Sequence, residues 1–355
     1  SILGLGIGLG CIIVLMALII HEKSFDRFIP DYQNVYRIVF GNSVQTHFPL
    51  AENMAGEFPE VKDYFRYYQA GSLQVKTPAN EIVRESGFAF ADPAIFRILG
   101  IKFLSGAPAN SVSEIAISDE SAAKFFGSYS PTGALLRVKF ADKFMDLTVS
   151  GVFKSFPDNS TLNPSYIADI KLSDRILTQF QRSLGEYGNV NAQNFDWRYA
   201  EFLSYLVLDK NSDPEALSSK MEKYKELITN EDKDKLHYKL QPVSEIYLGS
   251  GDMNGGFFLR RGNPEELLYY EAITILILII SVANYILLSR ASASDRIHEL
   301  GTRKVFGASR GRIMRLIILE SNLIVLLSLI PATFIIDYGM TFINEALNKT
   351  ITSQV

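Results

Sequence analysis

Three long apolar runs constrain this chain more than any other feature. Ile2 to Ile20 carry no charge. Ala272 to Ser289 form a second run, extended upstream by Leu267, Leu268, Tyr269 and Tyr270. Leu316 to Ile336 form a third, with the single acid Glu320. Each approaches the ~20 residues that a helix needs to cross ~30 Å of hydrocarbon. Runs this long and this apolar are rare in soluble cores. The chain therefore reads as a membrane protein with three spans. Its averages, 47% hydrophobic and 21% charged residues, look soluble only because a large aqueous segment is averaged with the spans.

The first run lacks the basic lead and the small-residue cleavage site of a secretory signal. Cys11 after Leu9 and Gly10 hints at a lipoprotein signal, yet apolar residues continue through Ile20. It reads as a transmembrane helix whose cytoplasmic start is expected to have been trimmed. The small pairs Gly4/Gly8 and Gly6/Gly10 are expected to let another helix approach closely.

Charge sets the orientation. Arg290, Arg296, Arg303, Lys304, Arg310, Arg312 and Arg315 face only Asp295 and Glu299 within that segment. The segment is +5 in a chain of net charge −4, so the remainder carries −9. A short basic loop between two spans belongs in the cytoplasm. The expected layout is a first span over 1–20, an outer domain over 21–266 and a second span over 267–289. A cytoplasmic stalk and coupling segment follows over 290–314, then a third span over 315–337. Residues 338–355 are expected to form an outer tail leading to a missing fourth span.

The outer segment alternates strand and helix patterns. Strands are expected at Val35–Phe40, Val61–Gln69, Leu73–Lys76, Ile82–Ala89, Ile115–Ile117, Leu135–Phe140, Leu147–Phe153, Phe202–Leu208 and His237–Pro242. Helices fit Leu50–Phe58, Glu120–Phe126 after a Ser118 cap, and Pro214–Thr229 after an Asp213 cap. The fold class is α+β: a split strand–helix–strand subdomain with a β-rich insertion at about 72–147.

Catalytic chemistry is hard to find. One Cys excludes an intrachain disulfide framework, and four scattered His argue against a metal site. His21-Glu22 and His298-Glu299 begin an H-E-x-x-H pattern, but Phe25 and Thr302 stand where the second His belongs. No P-loop occurs, and no basic footprint for nucleic acid. Gly307-Ala308-Ser309-Arg310-Gly311 reads G-x-S-x-G, but a basic loop precedes it and no His follows. Ser309 is better read as the N-cap of the third span after a Gly307 turn.

Gly301 and Gly307 bracket a short piece with basic Arg303 and Lys304 beside apolar Val305 and Phe306. A short amphipathic helix there suits an anionic lipid surface or a groove on a cytoplasmic partner. A solvated loop obeying the charge rule fits as well.

The stretch from Ala283 to Ser321 resembles the cytoplasmic loop of the MacB/FtsX-type ABC transporter permeases. The matching residues are Ala283, Asn284, Leu288, Ser289, Arg296, Glu299, Gly301, Arg303, Lys304, Val305, Gly307, Ala308, Ser309, Ile313, Glu320 and Ser321. Thr302 departs from the branched apolar residue usual there. Ser24-Phe25-Asp26-Arg27-Phe28 with Tyr36-Arg37, Ala91-Asp92-Pro93 with Phe96, and Gly151-Val152-Phe153-Lys154 are similar to the family's outer motifs. So are Phe156-Pro157 with Asn159-Ser160, Leu240-Gln241-Pro242 and Gly262-Asn263-Pro264. Thr161 stands where His is common. The likeness covers nearly the whole chain and is closest to the first half of two-repeat members.

The resemblance implies a non-enzymatic permease of the bacterial inner membrane with a periplasmic core domain. It binds no cofactor directly, and ATP and Mg sit on a separate cytoplasmic ABC ATPase. The implied coupling residues are Glu299, Gly301, Arg303, Lys304, Val305, Phe306 and Gly307. A second permease half or copy and membrane lipid are implied partners; some pathways add a periplasmic adaptor and an outer-membrane factor. Such a protein would transmit ATP-driven motion to extrude a drug, peptide or lipoprotein, or to control a periplasmic enzyme. Gly4, Gly8, Asn284 and Glu320 are expected to serve packing within the membrane, where polar groups usually face protein; for Glu320, snorkelling to the interface is the other reading. A membrane-anchored periplasmic ligand-sensing or hydrolase-regulating protein is the alternative function, although the chain turns straight back into the membrane at Ser309.

Overall fold

The computed structural model describes residues 2–77, 81–127, 131–140, 143–177, 197, 200–228, 233–306 and 309–347. These fall into two compact units, one made of Ser24–Gly262 and the other of the segments before and after it.

In the helical unit, α1 (Ile2–Lys23) is the most enclosed of three helices long and apolar enough to span a membrane. The outer domain then runs β1 (Val35–Phe40), α2 (Leu50–Glu57), β2 (Val61–Lys76), β3 (Ile82–Ala91), α3 (Ala94–Ile98), β4 (Phe103–Gly106), β5 (Glu114–Ser118), α4 (Asp119–Phe126), β6 (Leu135–Phe140) and β7 (Lys143–Phe153). It continues with β8 (Tyr166–Asp169), β9 (Leu203–Leu208), α5 (Pro214–Met221), β10 (Tyr238–Pro242) and α6 (Val243–Gly249). The remaining spans are α7 (Pro264–Val305) and α8 (Arg310–Leu347).

One sheet connects the whole outer domain, in the order β10-β1-β9-β2-β3-β8-β5-β7-β4, with β6 joining β2 to β7. The chain β2-β3-β8-β5-β7-β6 and back to β2 is thus a closed ring of strands, which removes free edges. Val75, Phe88, Phe90, Ile115, Ile117 and Val138 are buried together within it. The ring draws on strands from Val61 to Asp169, wider than the 72–147 insertion expected. It is wider because two of its pairings, β3 with β8 and β5 with β7, are parallel and nonlocal. A second layer packs α2 and α5 over β1 and β9, burying Ile38, Leu50, Met54, Leu206, Leu217 and Met221.

Val61–Gln69 and Leu73–Lys76 are one strand, not two. Gly71, at φ +73°, absorbs a bulge in mid-strand while pairing with β3 resumes on either side. The first half of β2 pairs with β9 and its end pairs with β6. The expected caps are in place: Ser118 Oγ accepts from Ser121 N at 3.2 Å, and Asp213 Oδ1 from Glu215 N at 2.9 Å. The helix expected over Pro214–Thr229 stays α-helical only to Met221 and tightens to a 3-10 helix over Glu222–Leu227. Thr229 lies outside the described residues.

Three boundaries of the helical unit move. α1 runs on to Lys23, whose ammonium pairs with Glu271 of α7 at 2.5 Å. On α7, Gly301 does not start a separate short helix; the backbone is helical to Val305. One glycine costs a helix only about 1 kcal/mol relative to Ala, which flanking Leu300, Arg303 and Lys304 can carry. α8 continues past 337 to Leu347 because Ile336, Met340 and Ile343 keep packing on Val14, Ala17 and Leu18 of α1.

Candidate functional site

The glycines of α1 divide between two neighbours. A Cβ added at Gly4 would lie 2.8 Å from Asn284 Nδ2, and one at Gly8 would strike the Ser281 hydroxyl, both on α7. A Cβ at Gly6 would strike Pro331 and lie 2.6 Å from the Ser328 carbonyl, and one at Gly10 would lie 2.7 Å from Ile335, all on α8. The two interleaved small pairs therefore seat two helices on one. Glu320 lies partly buried on α8, and Asn284 lies beside Gly4.

α7 is the longest element. Asn263 caps it, its Oδ1 accepting from Glu265 N at 2.9 Å, and Pro264 occupies its first turn. Its 42 residues extend about 63 Å at helical rise. At its far end Val305 is 85% exposed and Phe306 91% exposed. Lys304 is exposed beside them. Glu299, Gly301 and Arg303 lie on the last turns of the helix, and Gly307 lies outside the described residues. Ser309 sits where an N-cap belongs: its carbonyl accepts from Arg312 N at 3.0 Å and Ile313 N at 3.2 Å.

The outer domain fastens its two chain connections to each other. The strand of chain leaving α1 is held by the loop after β7. Asp26 N donates to the Asn159 carbonyl at 2.8 Å, and Asn159 Nδ2 donates to Ser24 Oγ at 3.0 Å. The Asp26 carboxylate accepts from Thr161 N at 2.9 Å and Thr161 Oγ1 at 2.6 Å. The chain approaching α7 bonds to the same loop: Arg260 N donates to the Thr161 carbonyl at 3.2 Å and Arg260 Nη1 to the Asp158 carbonyl at 2.7 Å. Tyr247 closes the clasp. Its ring stacks on Phe25 with a 7° interplanar angle, and its carbonyl accepts from Gly262 N at 2.8 Å. A side chain at Gly262 would run into that ring.

Burial pushes the Asp26 carboxyl up to about 6, against the opposing pull of its bonds to Thr161 and Ser160 and of the nearby Arg37. Asp26 also holds φ +57°, a left-handed conformation that Asp adopts more readily than most residues other than Gly and Asn. Arg37 is fully buried and donates through Nη2 to Gln241 Oε1 at 2.5 Å and Ser250 Oγ at 2.7 Å. Burial also lowers its pKa. Arg66 grips Asp92 bidentately, Nε to Oδ2 at 2.8 Å and Nη2 to Oδ1 at 2.9 Å.

The outer motifs read singly from the sequence thus interlock in pairs: Ser24–Phe28 with Asn159–Thr161, and Tyr36-Arg37 with Leu240-Gln241-Pro242. The sequence names the members but not the pairing. Tyr247, Arg260 and the Lys23–Glu271 bridge carry no sequence signal; only geometry finds them.

The family model for the MacB-like periplasmic core domain matches residues 1–224, and that for the FtsX-like permease C-terminal region matches residues 271–354. A domain assigned to a permease protein of Porphyromonas gingivalis is 19% identical, covers 60% of this chain and 92% of that one, and superposes with a TM-score of 0.47. The periplasmic region of MacB from Actinobacillus actinomycetemcomitans is 13% identical over 62% of this chain and 92% of that one, TM-score 0.44. The extracellular domain of the ABC-type transporter YknZ from Gram-positive bacteria is 12% identical over 59% of this chain and all of that one, TM-score 0.40. No curated protein sequence matches the chain. With apolar helices flanking an α+β periplasmic domain, and with family matches along nearly its whole length, the chain belongs to the MacB/FtsX-type permeases, the membrane components of ABC transporters.

Proposed function

We propose that this permease is a mechanotransmitter of the bacterial inner membrane. A separate cytoplasmic ABC ATPase, carrying ATP and Mg, docks on the tip of α7, and its closure moves α7 and α1 and thereby the periplasmic clasp. The observation that carries this reading is the unbroken α7. It runs from residues next to the clasp, through the hydrophobic span, to an apolar tip left almost wholly exposed at Val305 and Phe306. An exposed aromatic ring such as Phe306 is the kind of side chain enriched at protein interfaces, and basic Lys304 beside it suits an acidic groove. A helix transmits displacement along its length because its hydrogen bonds are all internal. The work delivered outside would extrude a drug, peptide or lipoprotein, or control a periplasmic enzyme; a second permease half or copy completes the unit, and an adaptor and outer-membrane factor would extend it in an export pathway.

The test is reconstitution of the full permease with its ATPase in lipid. Phe306→Asp is expected to abolish ATPase capture and permease-dependent ATP hydrolysis while the outer domain stays folded by the fluorescence of Trp197, the one tryptophan. Undiminished capture and hydrolysis would contradict the coupling role of the tip.

A further inference from the structure

The outer domain holds a cavity of about 300 Å³ that neither the clasp nor α7 uses. It lies between the bulge of β2 and the segment around Gly256–Leu259. Two glycines shape it. Gly71 leaves room for the Phe258 ring, whose Cζ lies 3.0 Å from where a Cβ would stand. Gly256 turns the chain at φ +61° so that Phe257 and Phe258 project at the rim. They are 87% and 59% exposed, two adjacent aromatic rings left in water. Tyr68 also lines it.

The polar side of the cavity is a carboxylate. Glu201 is half-buried, and its Oε2 accepts from Gln45 Nε2 at 2.9 Å. Gln45 is fixed in turn, because its Oε1 occupies the space that a side chain at Gly255 would need, 2.7 Å from that Cβ position. Among the described residues, no Lys, Arg or His lines the cavity and no ion pair reaches Glu201. Burial raises its pKa above the ordinary carboxylate value, and only the amide of Gln45 opposes that. The nearby Tyr68 hydroxyl is pushed up to about 12 by burial and by the Glu201 charge. The cavity thus presents an aimed acid without a counter-charge, framed by exposed aromatic faces.

We propose that this cavity binds a small organic monocation, an ammonium group on an apolar body, with its charge against Glu201 and its body between Tyr68 and Phe258. Glu201 is already partly desolvated by the fold, so a cation arriving beside it meets an attraction stronger than in bulk water. Aromatic faces attract the same charge through their quadrupole. The volume lies at the small end of ligand cavities, which fits a single-ring amphiphile. An anion meets repulsion here, and a neutral apolar molecule leaves the half-buried Glu201 with the Gln45 amide but no counter-charge.

The site is independent of the coupling reading, because binding is measured with no ATPase present. Benzyltrimethylammonium is titrated calorimetrically into the full chain in phosphatidylcholine nanodiscs, with 2-phenylethanol as the neutral probe. Saturable binding of one cation per chain is expected, at least tenfold tighter than the neutral probe. Glu201→Gln is expected to weaken it at least tenfold with the Trp197 unfolding transition unchanged. Should that variant misfold, Phe258→Ala decides, since its ring is mostly exposed and its loss leaves the core intact; it too is expected to weaken binding. No saturable binding, equal binding of the neutral probe, or wild-type affinity in a folded Glu201→Gln or Phe258→Ala chain overturns the assignment.

Discussion

The carboxylate of Asp26 accepts two hydrogen bonds from Thr161, 2.9 Å from its backbone N and 2.6 Å from its Oγ1, across 135 positions of sequence. Asp26 stands three residues beyond the end of α1, and the Thr161 carbonyl accepts from Arg260, four residues before α7 begins. One loop therefore holds the chain on both its exits from the membrane unit.

Asp26 also makes the clasp sensitive to pH. Its carboxyl rises from an ordinary 3.8 to about 6 in the folded domain. A raised acid binds its proton more tightly when folded, so its contribution to stability is fully present below the unfolded value and is lost as pH rises through about 6. The loss amounts to about 3 kcal/mol. Asp26→Asn, which can still accept from Thr161 N, does not titrate and removes this pH dependence. Urea unfolding followed by Trp197 fluorescence should show wild type losing stability relative to Asp26→Asn between pH 4 and pH 7. A constant difference across that range would contradict the assignment.

Arg66 and Asp92 form a mostly buried pair, their side chains 6% and 15% exposed. Asp92→Ala strands the guanidinium, with only the more exposed Glu52 left as an acidic partner at 3.1 Å. The expected cost is about 3–5 kcal/mol. Arg66→Met with Asp92→Ala should recover part of it. Paired denaturation curves decide; a double variant no more stable than the single one would show that the charge is not what the loss reflects.

The two glycine faces of α1 predict separable defects. With Cys11→Ser as background, Gly6→Leu should cut disulfide crosslinking of Ala17→Cys to Met340→Cys, which reports α1 on α8. Gly8→Leu should cut crosslinking of Lys23→Cys to Glu271→Cys, which reports α1 on α7. Loss of both crosslinks in each variant to the same extent would mean that the faces do not act separately.

The spans were legible because uncharged runs such as Ile2–Ile20 admit few other readings. The Ser118 and Asp213 caps were legible because capping is local. The closed ring was not. Parallel pairing of β3 with β8 leaves no hairpin turn in the sequence to announce it, and Gly71 looks like a strand end when it is a bulge. In the site, the resemblance named Asp26, Arg37, Asn159 and Gln241 one at a time. That Asp26 meets Thr161 and Arg37 meets Gln241 depends on tertiary contacts over more than 130 positions. The continuity of α7 past Gly301 was missed because a glycine between basic residues reads equally well as a break.

In the proposed cycle α7 carries motion from its cytoplasmic tip to the periplasmic domain. Pulsed electron resonance between spin labels at Leu104→Cys in the outer domain and Tyr338→Cys on α8, again with Cys11→Ser, measures it directly in the reconstituted complex with its ATPase. Both positions are exposed, 61% and 76%. ATP is predicted to shift the distance distribution in the otherwise native chain. Leu300→Gly with Thr302→Gly, making three consecutive glycines with Gly301 in the middle, is predicted to abolish the shift while the ATPase stays bound at Phe306. The same shift in both chains, or no shift during ATP turnover in either, would contradict transmission through α7.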